Sequence, residues 1–112
     1  MIFKLFKKKN NRQPTDDYKY TSNIRQVEAY QFPYTDYEID ESIWPDWLYK
    51  ACRDRKFFYD DRNGIWVLYS GEDIFIVDHG DFIVIESDSS MYVMTPEKFQ
   101  NTFSKLEKGH DA

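Results

Sequence analysis

The feature that most constrains the fold is a series of short apolar runs, separated by turn-forming residues, in the second half of the chain. FFY and IWVLY flank residues 60–64, where the Asn63-Gly64 pair is the strongest short-range signal for a β-hairpin. DIFIV and FIVIE lie on either side of residues 78–81, and MYVM follows a turn at residues 87–90. Because strands joined by short turns pair in antiparallel fashion, these runs predict a small antiparallel sheet.

One further strand and one helix are predicted before these runs. Residues 23–32 alternate between the two sides of a strand, and Pro33 ends it because proline cannot donate to a ladder. Residues 45–54 follow as a helix, since Pro45 suits a first helical turn and apolar residues recur three and four positions apart. That apolar stripe consists of Trp44, Trp47, Leu48, Ala51 and Cys52.

A second helix is predicted to begin at Pro96, with Thr95 as its N-cap and Gly109 at its end. Its buried face consists of Phe99, Phe103 and Leu106. The complete prediction is an α+β fold in the order β-α-ββββ-α, with a small antiparallel sheet of four to five strands and two short helices packed on one face. The 112 residues suffice for one domain, which we place at residues 18–112, after a flexible basic arm at residues 1–17.

Charge is unevenly distributed between the first residues and the rest. Residues 1–12 contain five basic groups and no acid, whereas residues 13–112 contain ten basic groups and all twenty acids. That body has a formal charge of −10, and residues 63–97 within it contain seven acids and neither Lys nor Arg. Because such a body repels phosphates, it is not expected to bind nucleic acid directly.

Reactive side chains are few and scattered. Cys52, the single cysteine, lies on the apolar stripe, where a thiol behaves as a small hydrophobic group. His79 lies in a turn between carboxylates, but adjacent turn residues do not converge, and no second soft ligand has metal-binding spacing. The four glycines do not form a phosphate-binding loop. We therefore expect a protein that is not an enzyme and uses no cofactor or metal; an enzyme would require His79 and several carboxylates in one pocket.

The acids and the nine tyrosines together suggest a protein-binding surface. Tyrosine is common on contact faces, although it is also an ordinary strand residue. Carboxylates without nearby bases complement a basic partner, such as a nucleic-acid-binding protein, or serve solubility alone. The predicted contact residues are Glu72, Asp73, Asp78, Asp81, Glu86 and Asp88.

The N-terminal arm is the other candidate contact site. Its apolar residues precede a basic run, and lysines add electrostatic attraction to an anionic bilayer. So short a segment gives only marginal attachment, which makes membrane contact the less favoured interpretation. The arm residues predicted to make contact are Phe3, Phe6, Lys7, Lys8 and Lys9. If the arm attaches the protein to a virion or a membrane, deletion of residues 1–12 will change that association.

Four stretches together resemble small phage and prophage proteins of unknown function. The stretches are RQVEAYQF (25–32), PDWLYKA (45–51), GDFIV (80–84) and SMYVMTPEKFQNTF (90–103). Those proteins typically open with a Val-Glu-Ala-aromatic strand, carry a PGDYG-like turn and close with a proline-led helix holding two aromatic residues. The positions that match are Val27, Glu28, Ala29, Phe32, Gly80, Asp81, Phe82, Pro96, Phe99 and Phe103. In the turn, His79 replaces the proline and Ile83 the second glycine.

The resemblance implies a phage or prophage origin and a place in the host cytoplasm, and it brings no catalytic residues with it. The sequence thus favours a non-enzymatic, phage-encoded accessory protein that binds another protein through an acidic, Tyr-rich surface. Inhibition of a host protein is one form that such binding could take. The alternative is a virion structural or membrane-surface component attached through the arm.

Overall fold

The computed structural model describes residues 17–22 and 25–105, which form eight β-strands and two α-helices. In chain order these are β1 (Lys19–Thr21), β2 (Gln26–Gln31), α1 (Asp46–Arg53), β3 (Phe57–Asp60), β4 (Ile65–Ser70), β5 (Asp73–Val77), β6 (Phe82–Ile85), β7 (Met91–Met94), α2 (Pro96–Thr102) and β8 (Ser104–Lys105). Two short 3-10 turns, Asp36–Glu38 and Glu41–Ile43, connect β2 to α1. The α+β class is confirmed, and no helix of the described ranges is long and apolar enough to cross a membrane.

Some predicted features lie outside the described residues. They are the arm as far as residue 16, with Phe3, Phe6, Lys7, Lys8 and Lys9, and the predicted end of the second helix, with Leu106 and Gly109.

The strands form two antiparallel sheets, one more than the sequence predicts. The larger sheet has the order β7-β6-β2-β1-β8, and the smaller has the order β3-β4-β5. The chain changes sheet at residues 78–81, where Gly80 N–H donates to Phe32 O (2.9 Å) and Phe32 N–H donates to Asp81 O (2.8 Å). These bonds extend the pairing of β6 with β2. β6 therefore pairs with β2 and not with β5, the strand that precedes it in the chain. The short strands β1 and β8 lack the apolar runs by which a strand is predicted.

The larger core lies between the two sheets and is closed by α1. Trp44 and Leu48 meet Phe57 and Leu68 of the three-stranded sheet and Ile83 of β6, and all five side chains are fully buried. The ring centroids of Trp44 and Phe57 lie 5.4 Å apart, and aromatic pairs at such distances add about 0.5–1.5 kcal/mol beyond area burial. This core holds the smaller sheet against the larger one.

The second core lies on the other face of the five-stranded sheet, under α2. The Phe99 ring stacks on Phe82 with centroids 3.9 Å apart and 8° between the ring planes, and both pack beside Val27 and Val84. The helices therefore pack on opposite faces of this sheet, and the prediction of one shared face is wrong. The reason is that β6 is apolar on both sides: consecutive residues such as Ile83 and Val84 point in opposite directions, and each side needs a cover.

The helix ends agree only partly with their local signals. Thr95 is the N-cap of α2 as predicted, and its Oγ1 accepts from Lys98 N–H at 3.3 Å. Pro45 is the N-cap of α1, so that helix begins one residue later than predicted. α2 ends at Thr102, so the prediction that this helix continues to Gly109 is wrong. The reason is that Phe103 has an extended backbone (φ −127°, ψ 153°) that leads into β8, where Ser104–Lys105 pair with β1.

Candidate protein-binding surface

The six acids predicted to contact a partner fall into separate environments. Three of them are exposed and line one groove: Glu72, Asp73 and Asp88. The other three lie in the β5–β6 turn or just after β6: Asp78, Asp81 and Glu86. The structure therefore brings together half of the predicted set, from two turns that are distant in sequence.

The groove runs between the β4–β5 turn and the β6–β7 turn and has a volume of about 510 Å³. The two turns are joined directly, because Met91 N–H donates to Ser70 Oγ at 3.2 Å. Lys56 is the one base among the described residues that line the groove. The aromatic part of the lining consists of Tyr69, Phe75 and Tyr92.

Asp88 is held in place by its own turn. Its Oδ1 accepts hydrogen bonds from the Ser90 hydroxyl (2.7 Å) and the Ser90 N–H (3.0 Å). These bonds hold the pKa of Asp88 below its ordinary value, because they stabilise the charged carboxylate. Ser89, the residue between Asp88 and Ser90, has a positive φ of 74°. Asp88 is therefore a positioned negative charge at the rim of the groove.

Asp81 points inward, unlike the surface position that the sequence predicts for it. Asp81 is only 8% exposed, and its Oδ2 accepts a hydrogen bond from Asp78 N–H at 3.0 Å. Desolvation by burial raises the pKa of Asp81, although that hydrogen bond opposes the change. Its carboxyl group stabilises the turn and is not available to a partner. Asp78 is exposed but lies away from the groove lining.

Glu86 is engaged by a cation beside the groove. Arg25 Nε lies 3.0 Å from Glu86 Oε1 and 3.1 Å from Oε2, and the Tyr92 hydroxyl donates to Oε2. Burial raises the pKa of Tyr92, so this hydroxyl keeps its proton. The Glu86 carboxylate is therefore already paired with Arg25 of the same chain.

The exposed tyrosines lie on more than one surface. Tyr69 is 43% exposed and stands at the groove, whereas Tyr34 and Tyr37 lie in the acidic connection between β2 and α1. His79, in the β5–β6 turn, contacts that connection, since its Nε2 lies 2.8 Å from Asp36 Oδ1. The predicted acidic, Tyr-rich face is thus divided between the groove and this connection.

His79 and Cys52 are the reactive side chains that the sequence singles out. His79 pairs with Asp36, and its ring lies 5.7 Å from that of Phe32. Cys52 is half-buried, and burial raises the pKa of its thiol. Over residues 17–22 and 25–105, no group of three or more His, Cys, Asp or Glu side chains could hold a metal ion.

An apolar surface that the sequence analysis did not predict lies on the three-stranded sheet. The residues of this sheet that point away from the core form what we call the outer face. Its apolar members are Phe58, Ile65, Val67, Tyr69, Ile74 and Ile76, and Asp60 lies on the same side. Ile74 and Ile76 are 63% and 54% exposed. The available signal is that FFY, IWVLY and IFIV are apolar at successive positions, which is typical of strands covered on both faces.

Comparison with known proteins adds no identification. The chain was compared with protein-family models, with curated proteins and with solved structures, and none of the three comparisons finds a match. Functional reasoning for this chain therefore starts from its own surfaces.

Proposed function

We propose that the protein acts without catalysis, by binding another protein whose basic segment enters the groove between the β4–β5 and β6–β7 turns. The observation that carries this proposal is the convergence of Glu72, Asp73 and Asp88 in one groove with aromatic side chains. All three are among the six acids that the sequence predicts as contact residues.

A Lys or Arg side chain matches this lining in two ways. Carboxylates complement its charge, and the faces of Tyr69 and Tyr92 attract a cation, each such contact being worth about 0.5–1 kcal/mol at exposed sites. Three acids against Lys56 leave the described lining with an excess of negative charge. A nucleic acid backbone would instead meet a body of formal charge −10. A basic protein is thus the partner that we expect.

The resemblance to phage and prophage proteins makes a host protein in the host cytoplasm the partner we favour, with inhibition of that protein as one outcome of binding. The alternative, attachment to a virion or a membrane, depends on Phe3, Phe6 and Lys7–Lys9, which lie outside the described residues.

The test compares two variants that remove the same amount of charge. The groove variant is Glu72→Gln/Asp73→Asn/Asp88→Asn, in which asparagine at position 88 keeps an acceptor for Ser90. The control variant removes three other exposed carboxylates: Glu38→Gln/Glu41→Gln/Asp61→Asn. Each protein is used for affinity capture from host lysate at low salt, and captured proteins are quantified by mass spectrometry.

The unaltered protein and the control should capture the same partner, and the groove variant should lose it. Capture should also weaken as salt is added, because exposed charges are screened. Equal capture by the two variants, or equal loss, would contradict the groove as the contact. If the unaltered protein captures nothing at low salt, protein binding itself is contradicted.

A further inference from the structure

The outer face of the three-stranded sheet remains exposed in the described chain. Its centre is a cross-strand row in which Phe58 pairs with Val67 and Val67 with Ile76, and the next row pairs Tyr69 with Ile74. Val67 is only 6% exposed and Phe58 is half-buried, whereas Tyr69, Ile74 and Ile76 are exposed. Contiguous apolar surface of this kind on a domain commonly marks a contact site.

The size of the outer face indicates what can cover it. Three strands about 4.8 Å apart and about five residues long give a face of roughly 14 Å by 17 Å, or about 240 Å². A stable dimer buries about 800 Å² on each partner, so this face alone is too small to hold a second copy. A peptide segment of five to eight residues has a matching footprint.

The charge around the outer face indicates the chemistry of that segment. Asp60 and Asp61 stand at the β3–β4 turn beside Arg62, and Glu72 and Asp73 stand at the β4–β5 turn near Lys56, whose carbonyl accepts from Tyr69 N–H. Carboxylates therefore outnumber bases at both ends. A second copy would bring the same carboxylates and would be repelled. The matching occupant is a short segment that is both apolar and basic.

Residues 2–9 of this chain, IFKLFKKK, have that composition: four apolar side chains and four lysines. We propose that this segment docks on the outer face of its own chain, with its apolar side chains against Ile74 and Ile76 and its lysines beside the carboxylates at the ends. Because the segment is tethered to its site, its effective concentration is on the order of millimolar, and a weak contact suffices.

The chain is long enough for this contact. Phe6 lies eleven positions before Asp17, where the described chain begins, and an extended chain of eleven steps spans up to about 36 Å. β1 lies three strand spacings from β7, which is about 14 Å. β7 contacts the three-stranded sheet, and one more sheet layer adds about 10 Å. The two distances together are shorter than the extended chain between Phe6 and Asp17.

Docking would shield Glu72 and Asp73, which also line the groove, so a basic partner would have to compete with the arm. The docking itself does not depend on the function proposed above, because it concerns the isolated chain. Its test therefore needs no partner, and its failure would leave the groove proposal standing.

Limited trypsin digestion of the full chain measures the docking. Trypsin cleaves after Lys7, Lys8 and Lys9 only when the segment is undocked, and the cleavage rate follows the undocked population when docking is fast. Ile74→Thr/Ile76→Thr should raise that rate about tenfold, since it removes about 1.4 kcal/mol of apolar contact. Ile43→Thr is the control, because Ile43 is 53% exposed and lies away from the outer face.

Isoleucine methyl NMR gives a second, independent measurement that leaves the sheet unaltered. In Phe3→Ser/Phe6→Ser, the methyl signals of Ile74 and Ile76 should shift and that of Ile43 should not. Equal trypsin rates in all three proteins, or unmoved Ile74 and Ile76 signals, would overturn the proposal. Shifts that vanish on dilution would also overturn it, because they would indicate contact between copies.

Discussion

Replacing Phe99 by alanine removes the side chain that joins α2 to the five-stranded sheet. The ring is 1% exposed, stacks on Phe82 at 3.9 Å and meets the Tyr20 ring edge-on at 4.9 Å. Truncating a buried phenylalanine costs about 3–5 kcal/mol, and a domain of this size is stable by only about 5–15 kcal/mol. The seven residues of α2 are fewer than the roughly 12–15 that an isolated helix needs. We therefore expect a loss of about 3–5 kcal/mol, with α2 released before the rest of the fold.

Urea unfolding followed by tryptophan fluorescence measures the global loss. Hydrogen exchange of the Phe103 amide, which donates to Phe99 O at 2.9 Å, measures the release of α2. Phe99→Leu is the control, because it keeps most of the apolar volume and should cost about 1–2 kcal/mol. A loss under about 1 kcal/mol for the alanine variant, or equal losses for the two variants, would refute the reasoning that ring packing holds α2.

Two further predictions concern the β5–β6 turn. A Cβ at Gly80 would lie 2.6 Å from Tyr34 Cε1 at φ 90°, whereas a Cβ at Gly71 (φ 61°) meets no atom within 4 Å. Gly80→Ala should therefore cost about 2–3 kcal/mol and Gly71→Ala about 1–2 kcal/mol; equal urea midpoints would contradict the close contact. For Asp81, burial raises the folded-state pKa, so the folded protein binds this proton more tightly than the unfolded chain. Its ionisation thus reduces stability near neutral pH, and the reduction disappears as pH falls through the folded-state pKa towards about 4. The stability of Asp81→Asn relative to the unaltered protein should accordingly be greater near neutral pH than at about pH 4; a difference independent of pH would contradict this sign.

Features that depend on neighbouring residues are predictable from the sequence. The Asn63-Gly64 pair locates the β3–β4 hairpin, where Gly64 has φ 69°, and Thr95-Pro96 locates the start of α2. Asp81 stabilises the β5–β6 turn by accepting from Asp78 N–H, three positions earlier. In each case the stabilising bond joins residues a few positions apart, so the chain sequence contains both partners.

The candidate site is only half predictable in this way. Charge patterning predicts six contact acids, because the absence of nearby bases is a property of the sequence, but only Glu72, Asp73 and Asp88 line the groove. Their convergence in one groove depends on a bond between Met91 and Ser70, twenty-one positions apart. Nothing near those residues in the sequence indicates that the two turns meet.

The α+β class, most strands and the turn geometry therefore follow from short-range patterns along the chain. The division into two sheets, the placement of the helices on opposite faces and the exposure of Ile74 and Ile76 arise only when the sheets pack. An apolar strand residue such as Ile76 gains the same free energy from any apolar neighbour, so its identity does not specify what covers it. The contacts between distant strands make that choice, and they leave the outer face open in the described chain.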